Sequence, residues 1–479
     1  MDTLVDRQKI LSERLGQAAT ITDPVDMERY CRDWHGDVAT GAVAVLRPAS
    51  AQEVSEAVRL CAELQLAIVP QGGNTGLALG GIPDNPSGQV VLSLERMNSI
   101  RAIMPDDFSA VVEAGCVLEA IKNEVEAAGC YFPLALGAQG SCQIGGNVST
   151  NAGGINVLRY GMTRELVLGL EVVLADGTIW SGLSTLRKDN RGVDLKQLFI
   201  GAEGTMGIIT AVAIKLLPQP EQIETAMLAL PSVEAAMALY RRARRDCCDL
   251  MSAFELMRPE AFSFARMAYP DLPMPLSTEY PAYVLMELTG GGLVDVKALM
   301  EGFLTREMES GEVLDGVFAA SRQQALNLWK VREGMNEGQA MYGPHLRTDL
   351  SVPLSQVAAY IEEASNAVAR LMPDCLVAAY GHVGDGNIHF NILPPRGASP
   401  DEVAGRIKQG KTLLFDILDR FNGSISAEHG VGRLKRDDFE KRLPEAQKLM
   451  LHALKNALDP QGRLNPNCQI SRSEHEISH

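Results

Sequence analysis

Residues 70–76 read PQGGNTG, and two further glycine-rich stretches follow: GSCQIGGN at 140–147, continuing into TNAGG at 150–154, and GAEGTMG at 201–207. The first comes directly after the apolar run 67–69, which predicts a buried strand that leads into a loop. Glycine lets a backbone approach a ligand closely and take up positive φ angles, so that several N–H groups converge on a diphosphate. One such loop is equally well explained as a tight turn, but three in one half of the chain predict a bound cofactor.

The glycine spacing does not fit the common nicotinamide-binding motif. No stretch shows G-x-G-x-x-G between a strand and a helix with an acidic residue about 20 positions later, and the sequence has no P-loop. A Rossmann-type dinucleotide site is therefore not expected. A hydrolase that uses only a metal is also disfavoured, because it would leave the three glycine loops unexplained.

Composition restricts the class of protein further. The chain has 479 residues, which predicts two or three domains, and its formal charge of -16 argues against nucleic acid or an anionic membrane as a partner. No run approaches the ~20 apolar residues of a membrane span, and the polar amino terminus lacks the pattern of a signal peptide. Nine cysteines without a C-x-x-C pair indicate a reducing compartment, so we expect a cytoplasmic protein.

The order of predicted elements is typical of an α/β or an α+β chain. Ser50 is placed to cap a helix with apolar residues at helical spacing, and the apolar runs 90–94 and 110–113 predict strands. Pro218 and Pro220 close this half of the chain. We place a domain boundary near residue 218, after which separate helical and strand patterns continue to about residue 425.

Two histidines flank a predicted hairpin turn in GHVGDGNIH at 381–389. If Asp385 and Gly386 form a two-residue turn, His382 lies directly opposite His389 with the Cβ atoms ~5 Å apart. Two imidazoles at that spacing suit a shared metal ion, although the pattern alone is also compatible with a surface hairpin. Glu428 would complete a site of two histidines and a carboxylate, suitable for zinc, manganese or iron.

The glycine stretches resemble the FAD-binding domain of the vanillyl-alcohol oxidase family, and the later motifs are similar to those of the FAD-linked D-2-hydroxy acid dehydrogenases. The resemblance runs from about residue 40 to 467. It implies an α+β fold with a PCMH-type FAD-binding domain of two α+β subdomains, a central substrate-binding (cap) domain with an antiparallel sheet and helices, and a C-terminal helical segment returning to the flavin. The corresponding ranges are a helical lead-in (1–40), the FAD domain (41–218), the substrate domain (219–425) and the C-terminal segment (426–479).

The same resemblance implies which residues contact FAD. They are Pro70, Gln71, Gly72, Gly73, Asn74, Thr75, Gly76, Gly140, Ser141, Gly145, Gly146, Ser149, Asn151, Gly154, Glu203, Gly204, Ile209 and Asn465. Some members of the wider family attach FAD through histidine, but no histidine lies between His35 and His345. Cys142 is a conceivable thioether site, yet the related dehydrogenases carry cysteine there without a covalent bond, so we expect noncovalent FAD.

The expected reaction removes a hydroxyl proton and a hydride from a 2-hydroxy acid. The flavin N5 would accept the hydride, a divalent metal held by His382, His389 and Glu428 would lower the pKa of the hydroxyl, and His429 would act as general base. His429 has an alternative role as a hydrogen-bond partner of a metal ligand. Arg332 matches the family position that binds the substrate carboxylate, although by itself it is better explained as a helix-surface residue.

Within the family, the two histidine motifs are most similar to those of members that oxidise D-2-hydroxyglutarate to 2-oxoglutarate. Two positions depart from that pattern: Arg347 stands where those enzymes carry lysine, and Asn336 where they carry threonine or serine. Both remain candidates for substrate contacts, with Asn391 and His429, and D-lactate or another D-2-hydroxy acid stays open. The expected acceptor is electron-transfer flavoprotein or a quinone, in a possible homodimer. The alternatives are a flavin oxidase that uses oxygen and a flavin-binding subunit without chemistry.

Overall fold

The computed structural model describes residues 3–471, which divide into two compact units. The first unit contains residues 3–154, 162–219 and 428–471, and the second contains residues 155–161 and 220–427. The last eight residues of the predicted C-terminal segment, 472–479, lie outside the described residues. The chain therefore leaves the first unit briefly for residues 155–161, leaves it again after Gln219 and returns to it at Glu428.

The strands of the first unit are β1 (Thr20–Ile21), β2 (Val45–Leu46), β3 (Ala67–Gln71), β4 (Gln89–Ser93), β5 (Ile100–Met104), β6 (Ser109–Glu113), β7 (Cys130–Tyr131), β8 (Val167–Val173), β9 (Ile179–Ser181), β10 (Ile208–Lys215) and β11 (Leu217–Pro218). Those of the second unit are β12 (Gln222–Leu230), β13 (Met251–Met257), β14 (Ala282–Gly290), β15 (Asp315–Phe318), β16 (Leu350–Ser351), β17 (Leu376–Tyr380) and β18 (Asn387–Leu393).

The α-helices, in chain order, are α1 (Leu4–Leu15), α2 (Pro24–Met27), α3 (Ala51–Glu63), α4 (Leu118–Ala127), α5 (Ile144–Ser149), α6 (Val157–Tyr160), α7 (Thr163–Leu166), α8 (Val233–Asp246), α9 (Glu260–Ala268), α10 (Val296–Glu309), α11 (Arg322–Tyr342), α12 (Val357–Leu371), α13 (Pro400–Arg420), α14 (Arg436–Arg442) and α15 (Glu445–Leu458). The predicted cap of α3 is confirmed: the Ser50 side chain accepts a hydrogen bond from the N–H of Glu53 at 3.2 Å.

The first unit contains two main sheets. One has the order β1-β2-β4-β3, in which β4 runs parallel to both β2 and β3. The other is antiparallel with the order β5-β6-β10-β8-β9. Strands β4 and β10 are buried along almost their whole length, as their continuous apolar runs require. The two α+β subdomains expected from the sequence are therefore present.

The carboxyl-terminal part of the first unit pairs with the outer strand β3. The Ile68 N–H donates to the Arg463 carbonyl at 2.8 Å, and the Asn465 N–H donates to the Ile68 carbonyl at 2.7 Å. These two bonds make Leu464 a parallel bridge partner of Ile68. Because β3 runs directly into residues 72–76, residues 463–465 are fixed beside the first glycine loop.

The second unit is built on an antiparallel sheet with the order β13-β14-β12-β15 and on a smaller sheet with the order β16-β18-β17. Helix α11 packs closely against α9, and Gly338 permits the contact, since a Cβ there would lie 2.1 Å from the Phe264 carbonyl oxygen. This packing turns one face of α11 into the unit, so Arg332 is only 5% exposed. By itself the sequence favoured a surface position for Arg332, and that expectation is wrong.

The predicted register of the histidine hairpin is also wrong. In the β17–β18 ladder the partner of His389 is Tyr380, and the ladder ends there. Gly381 instead exchanges two hydrogen bonds with Leu256 of β13, at 2.9 and 3.1 Å, so its backbone groups are not available to β18. Residues 381–386 then form the connection, which brings the carbonyl of His382 back to the N–H of Asn387 at 3.2 Å.

The α+β fold class is confirmed by these sheets and helices. Among residues 3–471, no helix has the length and apolar character needed to cross a membrane.

Candidate functional site

A cavity in the first unit is lined by the glycine-rich loops. The loop at 70–76 forms one wall, and residues from the second and third loops form others. The lining residues are Pro70, Gln71, Gly72, Gly73, Asn74, Thr75, Gly76, Ala78, Leu79, Gly80, Gly81, Ile82, Leu94, Gln143, Gly145, Gly146, Asn147, Ser149, Thr150, Glu203, Gly204, Gly207, Ile208, Ile209 and His429. The structure therefore brings all three glycine loops to one cavity.

Close packing between the loops requires glycine at specific positions. A Cβ on Gly73 would lie 2.1 Å from the carbonyl oxygen of Ser141, so the first and second loops touch through their backbones. By contrast, a Cβ on Gly76 or Gly146 would meet nothing within 4 Å, which leaves space beside their backbone groups. A cofactor can approach the main chain there.

Two buried oxygen atoms in the cavity wall have no protein partner among residues 3–471. Gln143 Oε1 and Asn147 Oδ1 are buried and lack a hydrogen bond within the described part of the chain. Buried acceptors are normally satisfied by protein, water or ligand. A flavin nucleotide carries imide, amino and hydroxyl donors, so these two oxygens fit the predicted cofactor.

Five of the residues predicted to contact the cofactor lie outside the cavity lining: Gly140, Ser141, Asn151, Gly154 and Asn465. Asn465 holds the loops from behind, because its Nδ2 donates to the carbonyls of Glu203 at 2.7 Å and Gly80 at 3.0 Å. The N–H of Gly154 donates to Glu428 Oε2 at 2.7 Å. Cys142, the conceivable thioether site, belongs to the hydrophobic core and does not line the cavity.

Glu203 anchors the segment that carries His429. Its two carboxylate oxygens accept from the N–H groups of Val431 at 2.8 Å and Gly432 at 2.9 Å. A Cβ on Gly432 would lie 1.8 Å from the Ala78 carbonyl oxygen, so this segment also packs directly on the first loop region. His429 is thereby fixed as part of the cavity wall.

In the second unit, Glu255 bridges two of the predicted site residues. One oxygen accepts from Arg332 Nε at 2.8 Å, and the other pairs with His382 Nδ1 at 2.6 Å. Burial alone would raise the pKa of Glu255, but His382 and Arg332 outweigh it and hold the pKa at about 2. Glu255 is therefore a carboxylate, and as an acceptor it selects the His382 tautomer with the proton on Nδ1.

The two histidines lie side by side in the second unit despite the changed register. Their ring centroids are 5.6 Å apart, and a nitrogen of each ring lies within 4.8 Å of one of the other. An oxygen of the buried Asp349 also lies within 4.8 Å of a His389 nitrogen. Since Nδ1 of His382 faces Glu255, its Nε2 is the nitrogen suited to bind a cation.

Tyr380 contacts four of the predicted site residues: Arg332, His389, Asn336 and Asn391. Its ring lies 4.8 Å below the Arg332 guanidinium and 5.2 Å from the His389 ring. Its hydroxyl donates to Asn336 Oδ1 at 2.5 Å and accepts from Asn391 Nδ2 at 3.3 Å. Arg347 is exposed, as is Asn336, whereas Asn391 is buried.

Glu255 and Tyr380 are the functional candidates that the sequence did not reveal. Glu255 interrupts the apolar run MSAFELM at 251–257, and an acidic residue inside a buried strand is a signal for a charged partner. Glu287 gives the same signal in β14, but its carboxylate accepts from Trp329, Thr225 and Ser252, which are neutral. Tyr380 gave no such signal, because an aromatic residue in a strand is ordinary.

Two protein families match this chain, one over its amino-terminal part and one over its carboxyl-terminal part. Residues 42–182 match the FAD binding domain family, and residues 219–468 match the C-terminal domain of FAD linked oxidases. "D-2-hydroxyglutarate dehydrogenase, mitochondrial" of Bos taurus is 41% identical over 456 residues, which are 95% of this chain and 81% of that protein. "D-2-hydroxyglutarate dehydrogenase" of Stutzerimonas stutzeri is 37% identical over 463 residues, 97% of this chain and 98% of that protein.

A solved structure of p-cresol methylhydroxylase with substrate bound superposes with a TM-score of 0.77 at 17% identity. The match covers 97% of this chain and 96% of that chain. At this identity the likeness concerns the fold alone. With the matching FAD family, it confirms the predicted PCMH-type FAD-binding fold.

Proposed function

Because this chain belongs to the FAD-linked oxidase family, in the group that contains the D-2-hydroxyglutarate dehydrogenases, we propose that it oxidises D-2-hydroxyglutarate to 2-oxoglutarate. The observation that carries the proposal is Glu255, which joins Arg332 to His382 beside His389. The Arg332 guanidinium, which suits a substrate carboxylate, is thereby held next to two imidazoles that suit a metal ion.

We propose that FAD binds noncovalently in the cavity of the first unit, where it would supply the two-electron acceptor at its N5 atom. The glycine loops offer backbone N–H groups for the diphosphate, and Gln143 and Asn147 offer buried acceptors. The core position of Cys142 supports the absence of a thioether bond.

The proposed ligands of a divalent cation, which we expect to be zinc, with manganese or iron as alternatives, are His382, His389 and Glu428. A bound cation would lower the pKa of the substrate hydroxyl. Glu255 fixes the His382 tautomer, and the Gly154 N–H binds one oxygen of Glu428. The assignment of Glu428 rests on the sequence motif and on its place directly after Ala427, whose N–H donates to Asp349 at 3.1 Å.

The proposed base is His429, which would take the hydroxyl proton. Its support is its position in the wall of the cavity that the glycine loops form, held there through the contacts of Glu203 with residues 431 and 432. An imidazole is suited to this role because its ordinary pKa lies near neutral pH.

Arg332, Asn336 and Arg347 are the proposed contacts for the carboxylates. Glu255 takes only the Nε of Arg332, and no described residue accepts from its two terminal nitrogens, which form the bidentate fork of a guanidinium. Asn391 is a weaker candidate for a substrate contact than these three residues, since Thr348, Gln339 and Tyr380 already form hydrogen bonds with its side-chain amide. A substrate with two carboxylates can contact more of these three residues than D-lactate, which has one carboxylate.

The test is an anaerobic absorbance titration of the purified protein. We expect D-2-hydroxyglutarate to bleach the flavin band, D-lactate to bleach it less effectively, and a chelator to abolish the reaction. Bleaching by D-lactate alone would overturn the substrate, and bleaching that survives complete removal of metal would overturn the cation. A colourless protein that does not take up FAD would overturn the proposal as a whole.

The proposed electron acceptor is electron-transfer flavoprotein or a quinone, and the proposed assembly is a homodimer. Reoxidation of the bleached flavin by air with stoichiometric peroxide would identify the protein as an oxidase instead. Size-exclusion chromatography with light scattering measures the assembly.

A further inference from the structure

A chain of buried hydrogen bonds in the second unit ends at the exposed Asn336. It begins at the N–H of Thr348, which donates to Asn391 Oδ1 at 2.9 Å. A backbone N–H can only donate, so the atom of Asn391 that faces it must be the oxygen. The Asn391 amide group is therefore fixed, with its NH₂ directed toward Gln339 and Tyr380.

The direction of the remaining bonds follows from that one. Asn391 Nδ2 donates to Gln339 Oε1 at 2.9 Å and to the Tyr380 hydroxyl at 3.3 Å. Gln339 agrees with this direction, because its Nε2 donates to the Met335 carbonyl at 3.0 Å and leaves Oε1 as the acceptor. The Tyr380 hydroxyl accepts from Asn391, so its own proton goes to Asn336 Oδ1 at 2.5 Å.

The amide of Asn336 is thereby oriented with its oxygen toward Tyr380 and its NH₂ away from it. Thr348, Asn391, Gln339 and Tyr380 are all buried, whereas Asn336 is exposed. No described residue accepts from Asn336 Nδ2, and no described donor other than Tyr380 reaches Oδ1. The chain of bonds thus presents two N–H donors at the surface of the unit.

These donors lie beside the Arg332 guanidinium. Asn336 follows Arg332 by four residues on α11, which places both side chains on one face of the helix. The Tyr380 ring contacts the guanidinium at 4.8 Å while its hydroxyl holds Asn336. One tyrosine therefore touches both Arg332, the proposed contact of one substrate carboxylate, and Asn336, whose NH₂ group is left for the second.

We propose that Tyr380 is a positioning residue that fixes Asn336 as a double hydrogen-bond donor, and that this makes the site selective for a 2-hydroxy acid with a second carboxylate. The inference rests on the proposed function and names the device by which the substrate class is recognised. Unlike a hydroxyl, the asparagine amide has two orientations, and the flipped one would turn its oxygen toward the substrate and repel a carboxylate. This ambiguity is which of the two groups, NH₂ or oxygen, faces the substrate. Tyr380 removes that ambiguity.

The test compares Tyr380→Phe with the wild-type protein on D-2-hydroxyglutarate and D-lactate. We expect KM for D-2-hydroxyglutarate to rise roughly tenfold, the loss of one oriented hydrogen bond to a charged group, while kcat stays within twofold. For D-lactate, which has no second carboxylate, we expect a change in KM of less than about twofold. Phenylalanine keeps the ring, so the contact with Arg332 is retained.

The matched control is Tyr360→Phe in the same unit. The Tyr360 hydroxyl is buried and has no hydrogen-bond partner within residues 3–471, so its removal should leave both KM values and the melting temperature unchanged. A second control is the Asn336→Ala background, in which Tyr380→Phe should add no further loss for D-2-hydroxyglutarate.

The following results would contradict the inference or the proposed function. An equal rise in KM for both acids, or a full further loss in the Asn336→Ala background, would show that Tyr380 acts otherwise and would overturn the inference. An unchanged preference for D-2-hydroxyglutarate in Tyr380→Phe would also overturn it. If the wild-type flavin is reduced by neither acid, the proposed function itself fails.

Discussion

Replacing Glu255 with glutamine tests whether this buried carboxylate controls metal binding. Both of its oxygens face donors: Arg332 Nε at 2.8 Å and His382 Nδ1 at 2.6 Å. Glutamine keeps the shape but offers one oxygen and one NH₂ group. Since an NH₂ group cannot pair with the N–H of Arg332, the amide oxygen should face Arg332 and the NH₂ should face His382.

The expected consequence is a change of tautomer. With a donor opposite, Nδ1 of His382 must become the acceptor, and the proton moves to Nε2, the nitrogen proposed to bind the cation. Loss of such an outer partner typically lowers metal affinity by about 10- to 100-fold. The variant also leaves the Arg332 charge unpaired at a site where both side chains are nearly inaccessible, so we expect a loss of stability of about 3 kcal/mol.

The assay is a competition titration of zinc against a chromogenic chelator, using protein that retains FAD, with melting temperature measured in parallel. Glu287→Gln is the matched control, because Glu287 is also an acidic residue in a strand of this unit but its three partners are neutral. We expect its zinc affinity to equal that of the wild type. If Glu255→Gln loses stability but binds zinc with wild-type affinity, Glu255 is only an internal ion pair and the tautomer argument fails.

Three further predictions concern other parts of the molecule. Burial raises the pKa of Glu287 above its unfolded value of 4.5, so the wild type loses stability as pH rises from that value through the raised pKa. The melting temperature of Glu287→Gln should therefore exceed that of the wild type by an amount that grows between pH 4 and 7. A difference in melting temperature that stays constant over this range would contradict the prediction. Gly73→Ala places a Cβ 2.1 Å from the Ser141 carbonyl oxygen and should lower the FAD-to-protein absorbance ratio severalfold, whereas Gly137→Ala, with nothing within 4 Å, should not; equal ratios would refute the close approach. His389→Ala should reduce zinc content, measured by atomic emission, to below about a tenth of the wild-type value at unchanged flavin content, and full zinc content would exclude His389 as a ligand.

The parts of the fold that the sequence predicted are those set by local chemistry. The Ser50 cap and the strand that leads into residue 70 follow from residues near one another in the chain, whereas the convergence of the glycine loops was predicted from the composition they share. The close approach of Gly73 to Ser141 was indicated only by residue type, because the contact joins positions 68 residues apart.

The hairpin register was beyond such reasoning. Asp385-Gly386 is a strong local turn signal, but Gly381 bonds to Leu256, more than 100 residues earlier, and this ends the ladder at Tyr380. The proximity of His382 and His389 was nevertheless predicted, since both residues lie within four positions of the Asp385-Gly386 pair at which the chain reverses. Both the predicted two-residue turn and the observed six-residue connection bring the chain back close to where it left the strand. The closeness of the two histidines therefore did not depend on the register, and its prediction held although the predicted register is wrong.

Arg332 and Glu255 illustrate why the candidate site needed a tertiary structure. A carboxylate inside an apolar strand requires a partner, whereas Arg332 was expected on a helix surface and required one only once the structure showed it to be buried. Two strands of the second unit carried such a carboxylate, Glu255 and Glu287. Their partners separate them: charged neighbours hold the pKa of Glu255 at about 2 against its burial, whereas burial raises that of Glu287 with only neutral donors to oppose it. The sequence therefore marks both carboxylates as unusual. Only the structure, in which Arg332 of helix α11 faces Glu255, identifies which of them belongs to the site.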